Sequence, residues 1–234
     1  MATRTGTPAA ARALRIVRLD GRRGYEQTWD LQRRLHAARC AGDRPDTLLL
    51  LEHEPVVTIG RNGREGNLVA PEPLLRSRGI DLVRTDRGGD VTYHGPGQLI
   101  GYAIVDLKEL HHDVHRFLRE MEEGMIRAVA RFGIEAGRRE GKTGVWVGGE
   151  KLASIGLRAS RWVTMHGFAL NVATDLAAFD LIVPCGIPGC RMTSMERLTG
   201  ARCDLDEVGR TVVEELAGIW NRRPELEEDQ EWRM

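Results

Sequence analysis

Of the 34 basic residues in this 234-residue chain, only Lys108, Lys142 and Lys151 are lysines. A guanidinium stays charged at any working pH, whereas an ammonium can release a proton and take it back. In a chain that writes Arg almost everywhere, each Lys is a candidate for proton transfer. Lys151 stands in EKLASIGL, ahead of the small residues Ala153, Ser154 and Gly156, which let a ligand or another backbone come close. The chemistry it could serve is nucleophilic. Cys185 stands in LIVPCGIPGC, where an apolar run, read as a strand, passes into a Pro- and Gly-rich loop. Such a junction exposes a thiol on a rigid base, as a nucleophile requires. Two plainer readings stay open here: a buried thiol acting as a small hydrophobe, and a solvated lysine beside a turn. Cys40 and Cys203 read as structural, and Cys190 has no assigned role.

A third stretch, RGGDVTYHGPGQ, crowds Arg87, His94 and Gln98 around two groups of glycine. Gly88 and Gly89 permit close approach or a positive φ. Val91 and Tyr93 alternate with Thr92 and His94 on the two faces of a short strand, which Gly95, Pro96 and Gly97 end. A Gly-rich hairpin connection accounts for the glycines but not for a His and a Gln flanking the turn.

Other signals carry less. AGRREGKT fits the loosest phosphate-loop pattern, but a phosphate loop must open a helix, and GVWV follows it instead. His111, His112 and His115 sit at the start of a strong helix with no carboxylates to complete a ligand set, so no metal is expected. Four cysteines in a chain this long are no disulfide framework, and the Cys185–Cys190 spacing lacks a second pair for zinc. Basic and acidic residues balance at 34 each, which disfavours nucleic acid as a partner. No run of 18 apolar residues marks a membrane span, so a cytoplasmic protein is expected.

The elements that must position these residues can be read from periodicity. Residues 23–40 form an amphipathic helix, TLLLLEH and EPVVTIG two strands, and 71–78 a short helix. QLIGYAIVDL reads as a central strand. DVHRFLREMEEGMIRAVARF is the clearest helix, capped by Asp113, and DLDEVGRTVVEELAGIW a second, capped by Asp204. GVWVGGEKLASIGLRAS reads as a hairpin turning at Gly148 and Gly149, and WVTMHGFALNV as another strand. Without a regular βαβ alternation the expected class is α+β: one domain, a mixed sheet with flanking helices over 13–223. Residues 1–12 are expected to be disordered, and 224–234 to be a charged tail.

RGGDVTYHGPGQLIGY, KLASIG, HGFALNV and IVPCGI, in that order and spacing, resemble the lipoyl(octanoyl) transferases, also called lipoate–protein ligase B. The resemblance runs from LLLLEHEPVVTIGR to MTSMERL. It implies a fold similar to the catalytic domains of biotin and lipoate ligases. It also implies transfer of octanoyl from acyl carrier protein to the lysine of lipoyl domains, in 2-oxoacid dehydrogenase E2 subunits and glycine cleavage H protein, with no cofactor. On that resemblance Cys185 is the acyl-thioester nucleophile and Lys151 the lysine that activates it. Arg87, Gly88, Gly89, Asp90, Val91, Thr92, Tyr93 and His94 match one acyl-binding segment. Ser154, Ile155 and Gly156, and Gly167, Phe168 and Ala169, match two more. Asp90 stands where the family more often has Gln. Three other classes compete. An ATP-dependent lipoate or biotin ligase would leave Cys185 without a task. A non-catalytic acyl-binding module would leave it inert. A hydrolase would pair it with His94 or His166 and release free octanoate.

Overall fold

Leu48, Leu49, Leu50 and Leu51 are all buried, which a strand achieves only when both of its faces are covered. They lie in β2 (Asp46–His53). Leu48 and Leu50 face one core beneath α3 (Val114–Ala130) and α5 (Leu205–Ile219), and Leu49 and Leu51 face another beneath α1 (Tyr25–Ala41). The computed structural model describes residues 11–227. Residues 1–10 of the expected disordered N-terminus, and 228–234 of the expected tail, lie outside the described residues.

β2 belongs to an eight-stranded mixed sheet. Its order is β11 (Arg222–Glu227), β1 (Arg12–Arg23), β2, β6 (Gln98–Ile104), β10 (Val163–Asn171), β9 (Glu150–Ser160), β8 (Lys142–Val147) and β7 (Gly137–Arg139). A three-stranded sheet lies beside it, with β3 (Val56–Ile59) between β4 (Asp81–Arg84) and β5 (Val91–His94). The short helix α2 (Glu72–Ser77) packs on the small sheet through Leu75, in a third core shared with Phe179 and Ile182. A one-turn helix, α4 (Met195–Thr199), precedes α5. Asp113 caps α3 by accepting from the N–H groups of His115 and Arg116, and Asp204 caps α5 in the same way. The fold is the expected α+β domain with a mixed sheet and flanking helices. Among the described residues no helix is long and apolar enough to cross a membrane.

Three expectations need correction. Arg12, placed in the disordered stretch, begins β1, and the first tail residues, 224–227, end β11. The two strands pair in parallel, Leu14 opposite Pro224 and Ile16 opposite Leu226. Their many charged residues hide strand character that the ladders supply. Residues 181–183, read as a strand before Cys185, instead end a 3-10 segment (Leu176–Leu181) and make a single bridge, Ile182 to Leu68.

A buried ion cluster fixes the β2–β11 end of the sheet. Asp46 accepts from Arg39 Nε at 2.9 Å, Arg222 Nε at 2.8 Å and the Asp106 N–H at 2.9 Å. All three side chains of the ion cluster are buried, Asp46 2% exposed. Asp46→Ala removes the anion that faces both guanidinium groups. It is expected to lower unfolding free energy by about 3–5 kcal/mol in urea titration. A loss below about 1 kcal/mol, the worth of a solvated surface pair, would contradict this reading.

Candidate active site

Between the two sheets a cavity of about 450 Å³ opens to solvent near the β7–β8 hairpin. That volume lies in the usual range for small-ligand sites, roughly 300–1,000 Å³. Cys185 and Lys151 meet on its wall, Lys151 Nζ donating to Cys185 Sγ at 2.9 Å. Ser154 Oγ lies 3.8 Å from the same sulfur.

Each partner is held by backbone. Lys151 begins the buried part of β9. Its N–H donates to Arg191 O at 2.8 Å, and its carbonyl accepts from Thr193 N at 3.0 Å. The chain just beyond Cys185 is thereby tied to the lysine. The side chain is 3% exposed, so the plain reading of a solvated residue beside a turn does not hold. Cys185 sits in a 3-10 turn, Pro184–Gly186, with φ 57° and ψ 18°. An L-residue adopts this left-handed region at a cost, and such strain gathers at functional positions. Asp90 braces the turn from below. It accepts from Asn67 Nδ2 at 2.8 Å and from its neighbour's N–H, and a methyl on Gly186 would stand 2.5 Å from Asp90 Oδ2.

Of the expected acyl-binding residues, Arg87, Gly88, Gly89, Asp90, Val91, Thr92 and His94 line the cavity. So do Ser154, Ile155, Gly156, Gly167, Phe168 and Ala169. Tyr93 does not line it: strand alternation turns its ring onto Phe179, edge-on at 5.6 Å. The glycines have a second duty. The Gly88 N–H donates to Leu157 O at 2.9 Å, and a methyl on Gly88 would stand 2.9 Å from that oxygen. Gly156 faces Gly88 O just as closely. The loop therefore lies directly on β9, and glycine is what permits it.

The closed end of the cavity holds groups that the sequence did not single out. Tyr25 and Tyr102 line it beside His94 and His166. Tyrosine is scarce here, three in the chain, and that scarcity is the one signal that could have found them. Arg87 is buried and donates to Thr58 O at 2.7 Å, to Thr58 Oγ1 and to Gly88 O. Burial pulls its guanidinium down from the ordinary value, with the Tyr25 and Cys185 anionic forms acting the other way. His94 Nδ1 faces Gln98 Oε1 at 2.8 Å, and Gln98 Nε2 donates to Asn171 Oδ1. This network assigns the ring proton to Nδ1. His166 Nε2 donates to Asp86, 2.7 Å away, and that bond holds the Asp86 carboxyl below the usual range. Cys190 stands on the far side of the Cys185 loop, in a separate groove. Burial pushes its thiol up, away from thiolate.

A mixed sheet that carries a cavity open to solvent at one side, with a thiol and a lysine amine in contact on its wall, has the form of a small-ligand enzyme site. The family model of the lipoyl protein ligase A/B catalytic domain matches residues 24–217. The chain is 51% identical over 203 residues to an octanoyltransferase of Rubrobacter xylanophilus, covering 86% of this chain and 91% of that one. It is 50% identical to one of Solibacter usitatus, covering 86% and 90%. A lipoate-protein ligase A bound with ATP shares the fold, with TM-score 0.71 at 17% identity over 93% of this chain and 89% of that one. The chain belongs to the lipoyl protein ligase A/B family, among its octanoyltransferases, and is an acyltransferase.

The buried histidines make the fold sensitive to acid. Tyr102 Oη lies 2.7 Å from His53 Nε2, and His53 Nδ1 lies 2.8 Å from Arg23 O, so the ring is neutral with its proton on Nδ1. Burial pulls His53 down from 6.5 to about 4. Below pH 6.5 the unfolded chain binds a proton that the folded chain refuses. The stabilising contribution of His53 is thus whole above 6.5 and is lost as pH falls toward 4. At about 1.4 kcal/mol per unit, this one group should remove about 3 kcal/mol across that window. Urea unfolding at several pH values should show the loss, and His53→Gln should flatten it. An unchanged slope in the variant would assign the acid sensitivity elsewhere.

Proposed function

We propose that the chain moves an octanoyl group from the thioester of acyl carrier protein to a lysine of a lipoyl domain, with Cys185 carrying the acyl group between them. The contact between Lys151 Nζ and Cys185 Sγ, on the wall of the cavity, carries the reading. An ammonium against the sulfur stabilises a thiolate, the form that attacks carbonyl carbon. In the first half, Cys185 forms a C–S bond to the acyl carbon, the donor's C–S bond breaks, and the departing thiolate takes a proton from Lys151. In the second half, the acceptor amine forms a C–N bond, gives a proton to Lys151, and Cys185 leaves as thiolate. Protons balance over the cycle. A thioester donor already carries the activation energy, so no nucleotide is consumed.

The slot suits the acyl chain. At about 0.8 kcal/mol per methylene, burying octanoyl gains roughly 5–6 kcal/mol. Arg87, Gly88, Gly89, Asp90, Val91, Thr92 and His94, with Ser154, Ile155, Gly156, Gly167, Phe168 and Ala169, are the residues we assign to it. The acceptors we assign are lipoyl domains of E2 subunits and the glycine cleavage H protein. Exposed arginines suit an acidic carrier protein, and such a reaction belongs in the cytoplasm. The raised Cys190 thiol favours Cys185 as nucleophile.

Steady-state rates with both substrates varied should give the parallel double-reciprocal lines of a two-step exchange. Cys185→Ser should lose turnover. Lys151→Arg keeps the charge but cannot release a proton, so its kcat should fall about a hundredfold or more. Near-normal turnover in Lys151→Arg would reject the proton-transfer role and leave Lys151 a fixed charge.

A further inference from the structure

Glu122 is a carboxylate in the middle of α3 with a fully buried side chain. Its Oε2 accepts from Arg119 Nη1 at 2.7 Å and Arg138 Nε at 3.0 Å, and both arginines reach solvent. Its Oε1 accepts from the backbone N–H of Gly144 at 2.9 Å. Gly144 lies in β8, outside the paired registers of that strand. The β8–β9 register starts at Val145 opposite Ala153 and shifts at the next residue, and the β7–β8 register passes Gly144 by. Gly144 has φ +122°, and a methyl there would stand 2.6 Å from Lys151 Cε and 2.4 Å from Ala153 O. The bare Gly144 backbone is thus a surface on which the lysine's methylenes lie. Trp146, two residues on, supports the ammonium from 5.3 Å.

We propose that Glu122 is a positioning residue for Lys151. Its hydrogen bond to Gly144 sets the backbone against which Lys151 is aimed at Cys185. The inference rests on the reading that Lys151 works with Cys185, but not on what the acyl group is. The bond to Gly144, not the charge, does the positioning. Arg119 and Arg138 can turn to water if the charge is removed, whereas the Gly144 N–H cannot.

Two conservative variants separate reach from charge. Glu122→Gln keeps the reach and an acceptor oxygen, which the buried Gly144 N–H will claim. Glu122→Asp keeps the charge but withdraws it by one methylene. The readout is the rate of iodoacetamide alkylation at Cys185 at neutral pH, resolved by peptide mass spectrometry, with Cys190 as internal reference. Glu122→Gln should stay within about twofold of wild type. Glu122→Asp should slow Cys185 about tenfold and leave Cys190 unchanged, the scale of loss that a small misplacement brings. The reverse order would show that charge matters and would overturn the proposal. Normal Cys185 rates in both folded variants, or a Glu122→Gln chain that does not fold, would overturn it as well. If Glu122→Asp melts below the assay temperature, Gly144→Ala disturbs the same contact from the strand. The same slowing is expected there, and a normal rate, or failure of this variant to fold too, would make Glu122 a folding residue only. Because alkylation needs no acyl donor, absence of octanoyl transfer in the wild type would leave this result standing.

Discussion

A lysine amine on a residue only 3% exposed needs a polar partner, and for Lys151 that partner is the sulfur of Cys185, 2.9 Å away. An unpaired buried charge costs several kcal/mol. The pair therefore constrains everything that brings it together. β9 must deliver the lysine inward, the loop after residue 183 must return the thiol across it, and the two must be fastened to one another. The fastening is backbone: Lys151 exchanges hydrogen bonds with Arg191 and Thr193, so the segment carrying the thiol is anchored to the strand carrying the ammonium.

The same constraint explains where strain is accepted. Cys185 takes a left-handed conformation, and Gly186 follows with φ 65°. Cys185 would relax if the turn were free, but Asn67 and Asp90 fill the space under it and leave no room for a side chain at 186. Asp90, where the resemblance implies Gln more often, thus has a clear structural task in this chain. Its contacts are to the turn and the neighbouring loop, and a longer amide would have to meet them from a different depth. Glycines at 88 and 156 serve likewise. They bring a loop and a strand into backbone contact, so that the slot wall is made of peptide groups with no side chain to fill it.

Periodicity made α3, α5 and the leucines of β2 legible, because each buries a face whose spacing is written in the chain. Scarcity made Lys151 legible, and the motifs RGGDVTYHGPGQ and PCGI made the cavity wall legible. What escaped is what depends on tertiary partners. β1 and β11 are rich in charge, and each is a strand because of its neighbours in the sheet: β1 pairs with β2 and β11, and β11 with β1. Residues 181–183 have the apolar character of a strand, but among the described residues only Ile182 finds a bridge partner, Leu68, so no strand forms. Glu122 looks like any solvated acid on a helix, because nothing in the sequence says that Gly144 lies above it. Tyr25 looks like the ordinary start of an amphipathic helix, yet it ends at the closed end of the cavity.

The central claim is that Cys185 carries the acyl group. Its most direct test is intact-mass and peptide mass spectrometry of the wild-type chain mixed with octanoyl-carrier-protein thioester, with no acceptor and no nucleotide. The account predicts one octanoyl adduct, mapped to the peptide containing Cys185 and discharged when a lipoyl domain is added. An adduct at Cys190 or Cys203, or turnover to free octanoate with no adduct, would contradict it.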